Sequence, residues 1–135
     1  MADPDLPFAD WDDLIAYVRA RWTLEAIDDA GEWFERIWQW SERTQQVTLA
    51  RVDYQGEPWV SWAAAVADDD KMTETQLIEA TTGEVGRIIR DEGCCWLEQH
   101  IPLALLTPRL FDRYSDSFAR RADDLERQIT GGDRD

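Results

Sequence analysis

Basic residues are scarce in this chain: 14 Lys and Arg stand against 29 Asp and Glu, and Lys71 is the only lysine. The formal net charge of −15 repels phosphate backbones and anionic lipid surfaces, which argues against nucleic-acid binding and membrane association. The arginines are scattered, and the densest pair, Arg120–Arg121, is followed at once by Asp123 and Asp124. Histidine occurs once, at His100, and the two cysteines, Cys94 and Cys95, are adjacent. Such a set does not supply the three or four convergent ligands of a zinc centre. Neighbouring cysteines are also poorly placed for an ordinary structural disulfide. The expectation is no metal and no other cofactor, with one cysteine in the core and one facing out. No run approaches the roughly 18 apolar residues of a membrane span. The opening Met1-Ala2-Asp3-Pro4-Asp5 lacks the basic start and apolar stretch of a signal peptide. These absences imply a cytoplasmic protein in a reducing compartment.

Catalytic constellations are missing as well. Gly83-Glu84-Val85-Gly86 lacks the further glycine and the Lys-Ser/Thr pair of a phosphate-binding loop. Asp68 and Asp70, with Glu79, occupy three positions of a calcium loop, but Met72 and Thr73 stand where a ligand and a turn glycine are needed. His100 has no nucleophile or orienting group that the sequence assigns to it. With 29 acids, any two carboxylates resemble a pair, so a glycosidase-type dyad has no specific support. The chain is not expected to be an enzyme.

What is present is enough for one domain. The 135 residues suffice to bury a core without disulfide or metal support, and the domain is expected over 10–130, with flexible ends at 1–9 and 131–135. Asp10 is a candidate N-cap, and Trp11, Leu14, Ile15, Val18 and Trp22 recur on one helical face. Residues 24–31 read as a loop. Residues 33–40, 46–54 and 59–66 read as three antiparallel strands, the last two joined through Gln55-Gly56-Glu57-Pro58. Residues 73–82 read as a short helix with Thr73 as cap and Gln76 at the capping-box position. Residues 85–90 suit a helix extension or a strand, and Gly83 and Gly86 favour the strand. A turn at Asp91-Glu92-Gly93 then leads into a strand over 94–101. Thr107 and Pro108 open a long closing helix whose apolar positions are Phe111, Tyr114, Phe118, Ala122, Leu125 and Ile129. The fold class is α+β, an antiparallel sheet of about five strands packed with helices in the order α-βββ-α-ββ-α.

Eight tryptophans are the unusual signal. Trp11 and Trp22 belong to the apolar stripe of the first helix. Period-two alternation puts Trp38 and Trp40 on one sheet face and Trp33 on the other, and separates Trp59 from Trp62 in the same way. A small sheet with helices on one side cannot easily bury aromatics on both faces. Either both faces are covered, by helix or by a second copy, or some tryptophans form a binding patch.

This element order resembles the type III secretion chaperone-like fold, shared by secretion chaperones and the YbjN-type bacterial regulators. The likeness is carried by Gly86-Arg87-Ile88-Ile89, Gly93, Trp96-Leu97-Glu98-Gln99-His100 and Ile101-Pro102-Leu103-Ala104-Leu105-Leu106, then by Phe118-Ala119 and Ala122-Asp123-Asp124-Leu125-Glu126. The resemblance implies an α/β sandwich, usually a homodimer, that binds an extended polypeptide segment and has no enzymatic activity. It also implies client contacts on the sheet and first helix, which by position fall near Trp22, Trp38, Trp40 and Trp62. The tryptophan content is heavier than that pattern suggests. A second reading follows from the charge alone: an acidic inhibitor or immunity protein that neutralises a basic toxin or nuclease.

Overall fold

A computed structural model of the chain describes residues 3–68 and 86–130. Helix α1 (Trp11–Arg21) begins where its cap demands, with the Asp10 side chain accepting from the Asp13 amide at 2.8 Å. Asp12 and Asp13 fill its first turn and Arg19 and Arg21 its last, each charge opposed to the helix dipole. Trp11, Leu14 and Val18 are buried, and Trp22 is the C-cap.

Six strands follow: β1 (Ala26–Ile27), β2 (Trp33–Trp40), β3 (Arg43–Tyr54), β4 (Glu57–Asp68), β5 (Arg87–Asp91) and β6 (Cys94–Pro102). They form one antiparallel sheet in the order β1-β2-β3-β4-β6-β5. A short 3-10 turn (Leu103–Leu105) leads to helix α2 (Pro108–Thr130). Thr107 caps it through Oγ1, which accepts from the Leu110 amide at 3.1 Å.

The α+β class holds, with two adjustments and one alternative decided for the favoured strand. The stretch 24–31, read as a loop, contains β1, where Ala26 pairs with Glu35 and Ile27 with Phe34. Two residues are too short to show an alternation pattern, and with them the sheet has six strands among the described residues rather than about five. β3 ends at Tyr54 as expected but begins earlier, at Arg43, and β4 begins closer to the turn, at Glu57. The connection is only Gln55 (φ 53°) and Gly56 (φ 80°), the left-handed pair of a type I′ hairpin. Finally, the stretch 85–90 contains a strand, β5. Gly86 enters it at φ 79°, and a Cβ there would stand 2.6 Å from the Glu98 carbonyl oxygen. Only glycine combines that backbone angle with that approach. The helix expected over 73–82 lies outside the described residues, as do residues 131–135.

The core lies between the sheet and the two helices. Phe34, Val47, Leu49, Val60, Trp62 and Leu97 face Phe111, Phe118, Ala122 and Leu125 of α2, all of them buried. Each large apolar side chain withdrawn from water here contributes about 1.5–3 kcal/mol. Residues 3–9, set outside the domain by the sequence reading, also contribute: Phe8 is buried, lies 5.8 Å from the Phe111 ring, and its amide donates to the Leu106 carbonyl at 3.0 Å. Cys95 is buried and Cys94 half-buried.

Candidate functional site

The sheet presents two unlike faces. On the inner face, Phe34, Arg36, Trp38 and Trp40 of β2 alternate toward the helices, opposite Leu49, Val47, Gln45 and Arg43 of β3. Trp62 of β4 shares this face through its pairing with Leu49.

The four tryptophans chosen by resemblance all belong to this inner side. Trp62 is fully buried and donates its indole N–H to Ser115 Oγ at 3.0 Å. Trp38 is buried and donates to Asp116 Oδ1 at 2.8 Å. Trp22, half-buried, stacks on Phe111 at 5.1 Å and meets Trp38 edge-on at 5.5 Å. Trp40, also half-buried, carries the Arg120 guanidinium 5.3 Å from its ring centre.

Arg36 lies over both Trp22 and Trp38, at 4.5 and 4.1 Å from the ring centres. Burial lowers its pKa from the ordinary arginine value, while Asp116 and Asp112 pull the other way. Tyr17 Oη donates to Asp112 at 2.5 Å. Its pKa is raised, chiefly by burial and then by that bond. These aromatics and charges tie α1, β2 and α2 into one unit.

The outer face is different. No described helix packs on it, yet it carries Trp33, Ile37, Trp59 and Trp96. Trp33 and Ile37 are each 39% exposed, and Trp59 and Trp96 are half-buried. Register builds this face in rows across the sheet. In one row Glu35 pairs with Thr48, Thr48 with Ala63, and Ala63 with Glu98. The adjoining row runs Trp33, Ala50, Ser61, His100. Small side chains (Thr48, Ala50, Ser61, Ala63 and Ala65) therefore form the middle of the face, with large ones along β2 and β6 and Trp59 near the start of β4. A depression of about 390 Å³ opens here beyond the last β3–β4 pair, Thr48 and Ala63, with Glu35, Ile37, Gln46, Ala65 and Trp96 in its lining and Gln45 and Glu126 reaching it from the helix side.

One margin is ordered by hydrogen bonds. Tyr54 Oη lies 2.9 Å from His100 Nδ1, and His100 Nε2 lies 3.3 Å from Glu98 Oε1. With neutral imidazole, Tyr54 donates to Nδ1 and Nε2–H donates to Glu98, which satisfies all three groups. Trp59 packs edge-on against Tyr54 at 5.2 Å. On the opposite margin, Gln46 Nε2 donates to Glu35 Oε2 at 2.8 Å. Of these bonds, the one between Gln46 and Glu35 joins two residues that line the depression. Among the described residues no group of three or more His, Cys, Asp or Glu is placed to hold a metal ion.

Trp33, Ile37, Trp59 and Trp96 were not singled out by the sequence reading. The signal was available in part, because alternation had already separated Trp33 from Trp38, and Trp59 from Trp62. What it lacked was which of the two faces the helices cover. Among the described residues, no helix is long and apolar enough to cross a membrane.

No protein-family model matches this chain, and no curated protein matches it. Among solved structures, a chain in the crystal structure of the ExsC-ExsE complex is similar, with a TM-score of 0.58 over 86% of this chain and 90% of that one. Identity is 19%, so the likeness is one of fold. It supports the chaperone-like layout read from the sequence and not the YbjN-type family in particular.

Proposed function

We propose that this chain is a non-catalytic, chaperone-like module that holds a polypeptide partner on the outer face of its sheet. The observation that carries this reading is a floor of small residues framed by Trp33, Ile37 and Trp96 on a face that no described helix covers. Tryptophan is enriched among the residues that dominate protein interfaces, and large apolar groups outside a core usually mark such surfaces. The fold likeness adds that a similar architecture occurs in a protein–protein complex. Of the inner tryptophans, Trp22 and Trp40 remain partly accessible as additional contacts, whereas a partner would reach Trp38 and Trp62 only by displacing α2.

An unfolded probe polypeptide, reduced and carboxymethylated lactalbumin, tests the reading by fluorescence anisotropy. The wild-type chain is expected to bind it, and Trp96→Ala to lose about tenfold in affinity while keeping its fold by circular dichroism. Absence of binding, or binding unchanged by Trp96→Ala and by Ile37→Ala, would remove the outer face from consideration. In the same reading the chain pairs as a homodimer. Light scattering then gives twice the 15.7 kDa chain mass, and a monomer at all concentrations rejects that part.

A further inference from the structure

The outer face has the dimensions and polarity of a seat for a helix. Resting on the reading above, we infer that its occupant is an amphipathic α-helix with basic residues flanking its apolar stripe. This departs from the extended segment that the resemblance implies.

The first argument is width. Glu35 and Glu98 lie in one row, separated by Thr48 and Ala63. Three strand intervals put their backbones about 14 Å apart. A helix with its side chains is about 10–12 Å across, so it fills the space between the two margins. A single extended chain spans about one strand interval and leaves most of that width empty.

The second argument is hydrogen bonding. The floor offers Ala63 and Ala65, whose side chains have no polar atoms and whose backbones pair with Glu98 and Trp96 of β6. An extended segment lying on this face leaves its own N–H and C=O groups without protein partners, which is costly once water is excluded. A helix satisfies those groups internally and presents only side chains. Strand addition solves the same problem at a sheet edge, but the aromatic residues here stand on the face.

The third argument is charge. Glu35 and Glu98 are half-buried carboxylates on opposite margins of a floor of small side chains, on a chain of net charge −15. A helix that places Leu-type residues on the floor projects its flanking positions toward both margins, where Lys or Arg meets a carboxylate. From Ala65 to Trp59 the face runs about 20 Å along β4 at roughly 3.3 Å per residue. That length accommodates about 13 residues of helix.

The test uses three synthetic peptides of about 18 residues made of Leu and Lys. One is amphipathic, the second is a scramble that spreads Lys around the helix, and the third is the amphipathic sequence with two central prolines. Each is titrated against the intact chain, with tryptophan emission and peptide circular dichroism as readouts. The amphipathic peptide is expected to bind at least about tenfold more tightly than either control and to become helical on binding. Ala63→Trp, which fills the floor from an outward-facing position, abolishes this preference. Glu35→Gln with Glu98→Gln reduces the salt dependence of binding.

Equal binding of the amphipathic and proline peptides, both sensitive to Ala63→Trp, overturns the helix while sparing the outer face as a polypeptide site. Binding of all three peptides without response to Ala63→Trp is nonspecific attraction to an acidic protein and overturns the inference. If Ala63→Trp instead converts a dimer to a monomer, a second copy occupies the face, which overturns it as well.

Discussion

Trp62 and Ser115 meet in the interior, where the indole N–H donates to the hydroxyl at 3.0 Å and neither residue has any exposed surface. A buried polar contact does more than add one bond. It couples the setting of α2 to β4, because Ser115 must keep its hydroxyl within reach of the Trp62 indole.

Removing the acceptor tests that role. Ser115→Ala strands a buried N–H, and the expected loss is about 1–3 kcal/mol by urea denaturation. Trp62→Phe with Ser115→Ala loses less than the sum of the two single changes, since the second change no longer orphans a donor. Strict additivity in this cycle excludes the bond.

The two sheet faces differ in what their tryptophans do for stability. Trp62→Ala opens a cavity in the core and is expected to cost about 3–5 kcal/mol. Trp33→Ser, at a site 39% exposed, is expected to stay within about 1 kcal/mol. Equal losses from the two variants contradict the assignment of inner and outer faces.

Glycine is required at Gly86 for two reasons and at Gly56 for one. Both have positive φ, but only Gly86 has a backbone atom, the Glu98 carbonyl oxygen, within 2.6 Å of where a Cβ would stand. Gly56→Ala therefore costs about 1 kcal/mol, the strain of a left-handed alanine. Gly86→Ala costs more, because β5 must also move away from β6. A midpoint shift for Gly86→Ala no larger than for Gly56→Ala removes the steric part of this account.

Alkaline pH probes Tyr17. Burial, and then the bond to Asp112, raise its pKa above the usual tyrosine value of 10.0. Its contribution to stability is therefore complete below the unfolded-state pKa and is lost as pH rises through the higher folded-state value. Tyr17→Phe is expected to flatten the fall in stability above about pH 10, and the near-ultraviolet tyrosinate titration should lose its latest phase. An unchanged titration places the late phase on another tyrosine.

Much of the fold was legible from local chemistry. Asp10 and Thr107 announced their helices because a capping side chain acts within three residues of itself. Asp91-Glu92-Gly93 announced a hairpin because its turn needs left-handed angles that Gly93 supplies, and Gly83 and Gly86 weighed for a strand at 85–90 on similar grounds. Ala26 and Ile27 were not legible, since their strand exists only through pairing with Glu35 and Phe34. Nor was the role of Phe8, whose burial depends on Phe111, more than 100 residues away, and on Leu106.

The outer face marks the same boundary. By itself the sequence determined the acidity, the helix caps, the hairpin turns and the separation of the strand tryptophans onto two faces, because these depend on charge counts and on neighbours a few residues apart. Tertiary structure alone decided which face is which. Period-two alternation distinguishes two sides of a strand but is symmetric between them, and both sides of β2 and β4 carry tryptophan. The packing of α1 and α2 against Phe34, Trp38 and Trp62 breaks that symmetry, leaving Trp33, Ile37, Trp59 and Trp96 on the side that those helices leave open.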